Sequence, residues 1–140
     1  MAGRLQRFVD AQDESRTYAG ALAELRAGRK RSHWMWFVFP QVAGLGRSPT
    51  AQYFAIADLV EARAYLAHPV LGPRLRDCAA TLVGLDATDP VAVLGDIDAV
   101  KLRSSMTLFA HADPDEPLFP SVLDRFYAGE EDAATLTLLR

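Results

Sequence analysis

The chain has 140 residues, half of them hydrophobic, with 15 basic and 18 acidic side chains and a net charge of −3. That length favours one domain with a real core, and the slight acidic excess is a poor electrostatic footprint for a general nucleic-acid binder. The longest apolar run, residues 34–40, falls far short of the ~20 residues that a membrane span needs.

A single cysteine, Cys78, excludes an internal disulfide and fits a reducing cytoplasm. The N-terminal sequence turns polar too soon for a secretion signal, so a cytoplasmic protein is expected. The basic residues are split unevenly, with thirteen arginines against two lysines, Lys30 and Lys101.

In chain order, Leu5, Phe8 and Val9 mark a first short amphipathic turn. Asp13 is placed to cap the next helix, which carries Tyr18, Ala21, Leu22 and Leu25 on one face and ends at Gly28. Residues 34–39, WMWFVF, have high β-propensity, but periodicity cannot separate a buried strand from a helical turn at this length. Ser48-Pro49 reads as an N-cap with proline at the first helical position. Asp58 and Glu61 form a capping-box-like pair opening EARAYLA, which Pro69 closes. Leu71, Leu75, Cys78 and Leu82 make one apolar stripe, ended near Gly84. Asp89-Pro90 opens a short turn, and Asp96 is read as the cap of a helix to about Ala110 with Leu102, Met106 and Phe109 inward. Phe119, Val122, Leu123 and Phe126 form a further stripe before Gly129, and Asp132 opens a last helix. No period-two alternation appears. The expected fold is all-α: a single compact domain of six to eight short helices over residues 1–140.

The chemistry is sparse. No two of His33, His68 and His111 share the spacing of roughly three to five residues that puts metal ligands on one helix face, and Cys78 has no cysteine partner. Neither a metal nor a cofactor is expected. His68 and His111 read as C-terminal helix caps. GLGRSPT (residues 44–50) contains G-x-G and a serine cap, but neither a preceding strand nor a third glycine, so it reads as a turn and a helix start, with anion binding by its backbone N–H groups as the alternative. The run RAGRKR (residues 26–31) reads as a solvated gatekeeper before the aromatic segment. The paired acids Glu130-Glu131 and Asp115-Glu116 are explained by capping.

Two segments are less ordinary. KRSHWMWFVFPQ (residues 30–41) holds both tryptophans. It is expected to be mostly core, with one edge lining a cleft, since each indole N–H needs a partner and His33 and Gln41 lie close in sequence. In DAVKLRSSMTLF (residues 98–109), Lys101, Ser104 and Ser105 lie within about 100° of one another on a helix, beside the apolar stripe. A lysine with two hydroxyls suits a phosphate or carboxylate. The alternative is close helix packing with a solvated lysine.

FVDAQ (residues 8–12), residues 27–48, residues 61–76 and KLRSSMTLF (residues 101–109) together resemble a bacterial family, domain-of-unknown-function family 1810. The resemblance covers nearly the whole chain, and SHWMWFVFPQ with KLRSSMTLF carries it. It implies a small, mostly helical cytosolic protein, and it brings no established activity or catalytic residues. Members often carry the label calpastatin. Calpain inhibitors of that kind are long disordered repeats, unlike this apolar chain. A fainter likeness, to NAD- and ADP-ribose-associated helical hydrolases, matches no motif and bears on ligand class alone.

The candidate site residues are therefore Lys30, His33, Trp34, Trp36, Gln41, Arg47, Ser48, Lys101, Ser104 and Ser105. They are expected to bind a small anionic or nucleotide-like ligand. A tryptophan would stack on a ring, Lys101 would meet an anion, Arg47 or Ser48 would sit at the rim, and His33 is the histidine placed for proton transfer. Two rival readings stand beside this: a non-catalytic interaction module using residues 33–41, and an ADP-ribose-related hydrolase. The choice between enzyme and binding protein stays open.

Overall fold

Leu5 and Phe8 recur one turn apart and are buried, which sets the inner face of helix α1 (Ala2–Asp13). The computed structural model describes residues 2–140, with side chains from Arg4 onward. Asp13 does not cap the second helix. The chain passes instead through a 3-10 turn (Glu14–Arg16) in which Ser15 and Arg16 take left-handed φ values of 51° and 58°. Helix α2 (Thr17–Arg26) then starts with no side-chain cap and buries Ala21 and Leu25.

The aromatic run forms one helical turn, α3 (Met35–Val38), not a strand. The expected caps recur at α4 (Pro49–Tyr53), where Ser48 Oγ accepts from Ala51 N–H at 3.1 Å. At α5 (Leu59–Ala67), Asp58 accepts from Glu61 N–H at 2.9 Å, and the Glu61 carboxylate accepts in return from Ala57 N–H. His68 stands at the C-cap of α5, as expected, and its backbone N–H donates to Tyr65 O; its side chain turns to α6 (Leu71–Val83). Its Nδ1 accepts from Val70 and Leu71 N–H, so the imidazole also serves the start of α6.

Asp89 caps α7 (Pro90–Leu94). The N-cap of α8 (Asp96–Ala112) is Gly95 at φ 88°, which places Asp96 inside the first turn instead of capping it. Helix α9 (Leu118–Tyr127) buries Phe119, Val122, Leu123 and Phe126. Asp132 caps α10 (Ala133–Leu138) by accepting from Thr135 N–H and Oγ. Ten helices, rather than six to eight, arise among the described residues because several proline- or acid-capped segments close little more than one turn.

Helix α8 lies at the centre, packed on α5, α7, α9 and α10, with Leu102, Met106, Leu108 and Phe109 buried. Phe8, Tyr65, Phe109 and Phe119 pass through the interior as successive ring contacts of 5.2, 5.3 and 5.9 Å between centroids. No strand occurs among the described residues. One isolated parallel bridge joins Val42 to Ile56, with Ala43 N–H donating to Ile56 O and Ile56 N–H donating to Gln41 O, each at 2.8 Å. The bridge fixes the backbone where the loop after the aromatic turn begins. Among the described residues, no helix is long and apolar enough to cross a membrane.

Candidate functional site

The two lysines meet. Arg26, Arg29 and Arg31 of the basic run are exposed, as expected, but Lys30 is not solvated with them, because its side chain is only 8% exposed. Its ammonium lies 2.8 Å from Oδ2 of Asp98 and 5.2 Å from the centroid of the Trp34 ring. Lys101, one turn beyond Asp98 on α8, lies 3.4 Å from the other carboxylate oxygen and 4.7 Å from the Trp36 ring centroid. Each ammonium thus faces an aromatic face and shares one carboxylate, a cation–π and ion-pair arrangement. Asp98 compensates one positive charge of the two. Lys30, closer and more buried, takes the larger share. Lys101 is 20% exposed and keeps charge toward solvent.

That charge faces a groove of about 470 Å³. Gln41, Leu45 and Gly46 form one wall, Lys101 and Ser104 of α8 form the floor with Ile97 and Val100 at its rim, and Asp132 with Ala134 closes the far side. Asp96 also lines it. The loop wall is built on close approaches. A Cβ at Gly46 would lie 2.4 Å from that of Ala51, and one at Gly44, where φ is 104°, would lie 3.0 Å from the Leu138 side chain. The loop therefore nests against both α4 and α10. The far wall is tied down by Thr107, whose hydroxyl accepts from Asp132 N–H at 2.9 Å, and by Arg103, which donates to the carbonyls of Glu130 and Glu131.

The sequence candidates divide accordingly. Gln41, Lys101 and Ser104 line the groove, and Lys30 and Trp36 stand behind Lys101 through the contacts above. Trp34 is fully buried and its indole N–H donates to Glu24 at 3.0 Å, not to His33 or Gln41. Ser105 is buried and outside the lining, with no hydrogen-bond partner for its hydroxyl among the described residues. His33 is exposed and outside the lining. Arg47 and Ser48 are exposed and engaged in starting α4, with Arg47 O accepting from Gln52 Nε2. Sequence reasoning missed Asp98, although its i,i+3 spacing to Lys101 is a usable signal. It also missed Asp96, Asp132 and the apolar walls.

Glu24 organises the approach to the aromatic turn. It accepts from Arg31 N–H, Ser32 N–H, Ser32 Oγ–H and the Trp34 indole, all within 3.0 Å. Its own desolvation pushes the carboxyl pKa upward, but these hydrogen bonds outweigh it and hold the group at about 2. The one thiol offers no nucleophile. Burial pushes Cys78 up to about 12, with smaller influences from Tyr18 and Asp77.

The fold and the groove define a small all-helical domain with an apolar-walled recess served by a lysine. The chain belongs to the family described as "Protein of unknown function (DUF1810)", whose model matches residues 2–139. It is similar to a solved structure, the conserved hypothetical protein Rv1873 from Mycobacterium tuberculosis. The two share 48% identity over 96% of this chain and 95% of that one, with a TM-score of 0.93. No curated protein matches the chain.

Proposed function

We propose that this protein binds a small organic anion with an apolar body in the groove between the loop at residues 41–46, α8 and α10, within a bacterial cytoplasm. One observation carries this reading. Gln41 lies far in sequence from Lys101 and Ser104 of α8, yet the three converge on one cavity walled by Leu45, Ile97, Val100 and Ala134. Convergent polar groups in an apolar recess are the ordinary build of a small-ligand site. Lys101 supplies the anion contact, held in place by Asp98 and Trp36.

The charges narrow the nucleotide-like alternative. Asp96 and Asp132 line the same groove, and a di- or triphosphate would face like-charge repulsion from them. An ADP-ribose hydrolase reading therefore ranks behind a singly charged ligand. The interaction-module reading finds little surface in the aromatic segment, because Trp34, Met35, Val38, Phe39 and Pro40 are buried. Exposed large apolar residues are spread over several helices, and two of them, Ile97 at 74% and Val100 at 62% exposed on α8, lie at the rim of the groove.

The test is a thermal-shift and calorimetric panel of small carboxylates, monophosphates, nucleotides and ADP-ribose, run on the parent and on Lys101→Met. The reading requires a ligand that raises the melting temperature of the parent and not of the variant. A panel without any such ligand overturns it.

A further inference from the structure

The groove carries both signs of charge at once. Lys101 lines it with part of its charge uncompensated, because Asp98 serves two ammoniums. Asp96 and Asp132 line it as well, and no ion pair among the described residues involves either of them. Asp132 spends Oδ2 on capping α10. Asp96 makes no cap, since Gly95 holds that position. A ligand bearing only a negative charge would satisfy Lys101 while meeting two carboxylates. A ligand bearing only a positive charge would satisfy the carboxylates while meeting Lys101.

From this we infer that the groove selects zwitterions: a molecule with one carboxylate, one ammonium and an apolar body, of the size of a free amino acid. The carboxylate would meet Lys101, flanked by the Gln41 amide. The ammonium would meet Asp96 or Asp132, and the apolar body would lie on Leu45, Ile97, Val100 and Ala134. The inference rests on the ligand-binding reading above and narrows it to one charge class. Charge complementarity of this kind sets specificity more than raw affinity, because each alternative ligand leaves a groove charge opposed.

The experiment compares four small probes on the intact protein at low ionic strength and neutral pH: norleucine, its isomer ε-aminocaproate, caproate and n-hexylamine. The two isomers hold the same atoms with the charges adjacent or separated, and the other two each lack one charge. At least one zwitterion is expected to bind about fivefold more tightly than caproate, the scale of a partly shielded ion pair. Asp96→Asn should reduce that preference while leaving caproate binding equal or stronger. Circular dichroism on the variant checks that α8 is retained. Caproate binding as tightly as both zwitterions overturns the inference and leaves the anion site standing. Tightest binding by n-hexylamine, or no binding by any probe that carries a carboxylate, overturns the inference and the anion site together.

Discussion

The ammonium of Lys30 lies 2.8 Å from Oδ2 of Asp98, and that contact joins the loop after α2 to the first turns of α8. Lys30 is anchored a second time through its backbone, whose N–H donates to Val93 O at 2.8 Å. With Lys101 on its other oxygen, Asp98 is the common counter-ion of both lysines in the protein. Removing it leaves two neighbouring cations, one of them almost without solvent. Asp98→Asn should cost about 2 kcal/mol of unfolding free energy, below the usual figure for a fully buried pair because Asp98 is 18% exposed. Urea denaturation measures this. Lys30→Met in the Asp98→Asn background should recover part of the loss, and a loss under about 0.5 kcal/mol would mean solvent already screens the pair.

Lys101→Arg tests whether a compact ammonium is needed at the groove. A guanidinium is planar and directs its donors in a fixed fork, so it cannot occupy the same point over Trp36 while bonding Asp98 and a ligand. The expected outcome is binding weakened by roughly tenfold with an unfolding midpoint close to the parent's. A variant that binds as well as the parent would remove Lys101 from the recognition argument.

Glu24 gives the molecule an acid-sensitive joint. Its folded pKa of about 2 lies below the ordinary value of 4.5. A carboxyl depressed by folding stabilises the native state above its unfolded pKa, and that contribution is lost as pH falls toward the folded one. Melting temperature should therefore decline between about pH 5 and pH 2 more steeply in the parent than in Glu24→Gln. The indole of Trp34 reports the same joint, so its fluorescence should change with the melting trend. Parallel pH profiles for parent and variant would show that other carboxylates dominate acid unfolding.

Ser104 and Ser105 are adjacent but differ in consequence. Ser104 Oγ–H donates to Val100 O and lines the groove. Ser105 is buried with a hydroxyl that finds no partner among the described residues. Ser105→Ala removes an unsatisfied group and should stabilise the fold by about 0.5–1 kcal/mol without changing ligand affinity. Ser104→Ala loses only a bond internal to α8, so it should leave stability near the parent's and change carboxylate affinity by less than about twofold. Thermal melts with ligand titrations separate the two. A destabilised Ser105→Ala would indicate that its hydroxyl has a partner in solution.

The elements that sequence reasoning located are those fixed by short-range chemistry. Ser48-Pro49, Asp58 with Glu61, Asp89-Pro90 and Asp132 cap their helices through bonds spanning two or three residues, so local spacing is enough. Asp13 and Asp96 look equally good locally and do not cap. The chain turns left-handed at Ser15 and Arg16 in one case and at Gly95 in the other, so that Arg16 and Gly95 hold the N-cap positions in their place. The site shows the same division. Lys101 and Ser104 are legible as a helix-face pair and Gln41 as the polar end of the aromatic segment, but Asp132 and Ala134 reach the groove only through the packing of α10 on α8. The partner of Trp34 was not legible either, because Glu24 lies a full helix end away and becomes an acceptor only when residues 31–34 fold back over it.

The groove walls come from three stretches that no secondary-structure hydrogen bond connects: the loop at residues 41–46, the opening turns of α8, and the start of α10. Helix α10 is short and bears on the loop through Leu138 against Gly44. Such an element opens on its own more cheaply than the whole domain unfolds. Any occupant that touches all three walls must wait for, or suppress, that opening. Its arrival should therefore register as slowed amide hydrogen exchange in all three stretches together, a signature that identifies the occupied groove even before the molecule inside it has been named.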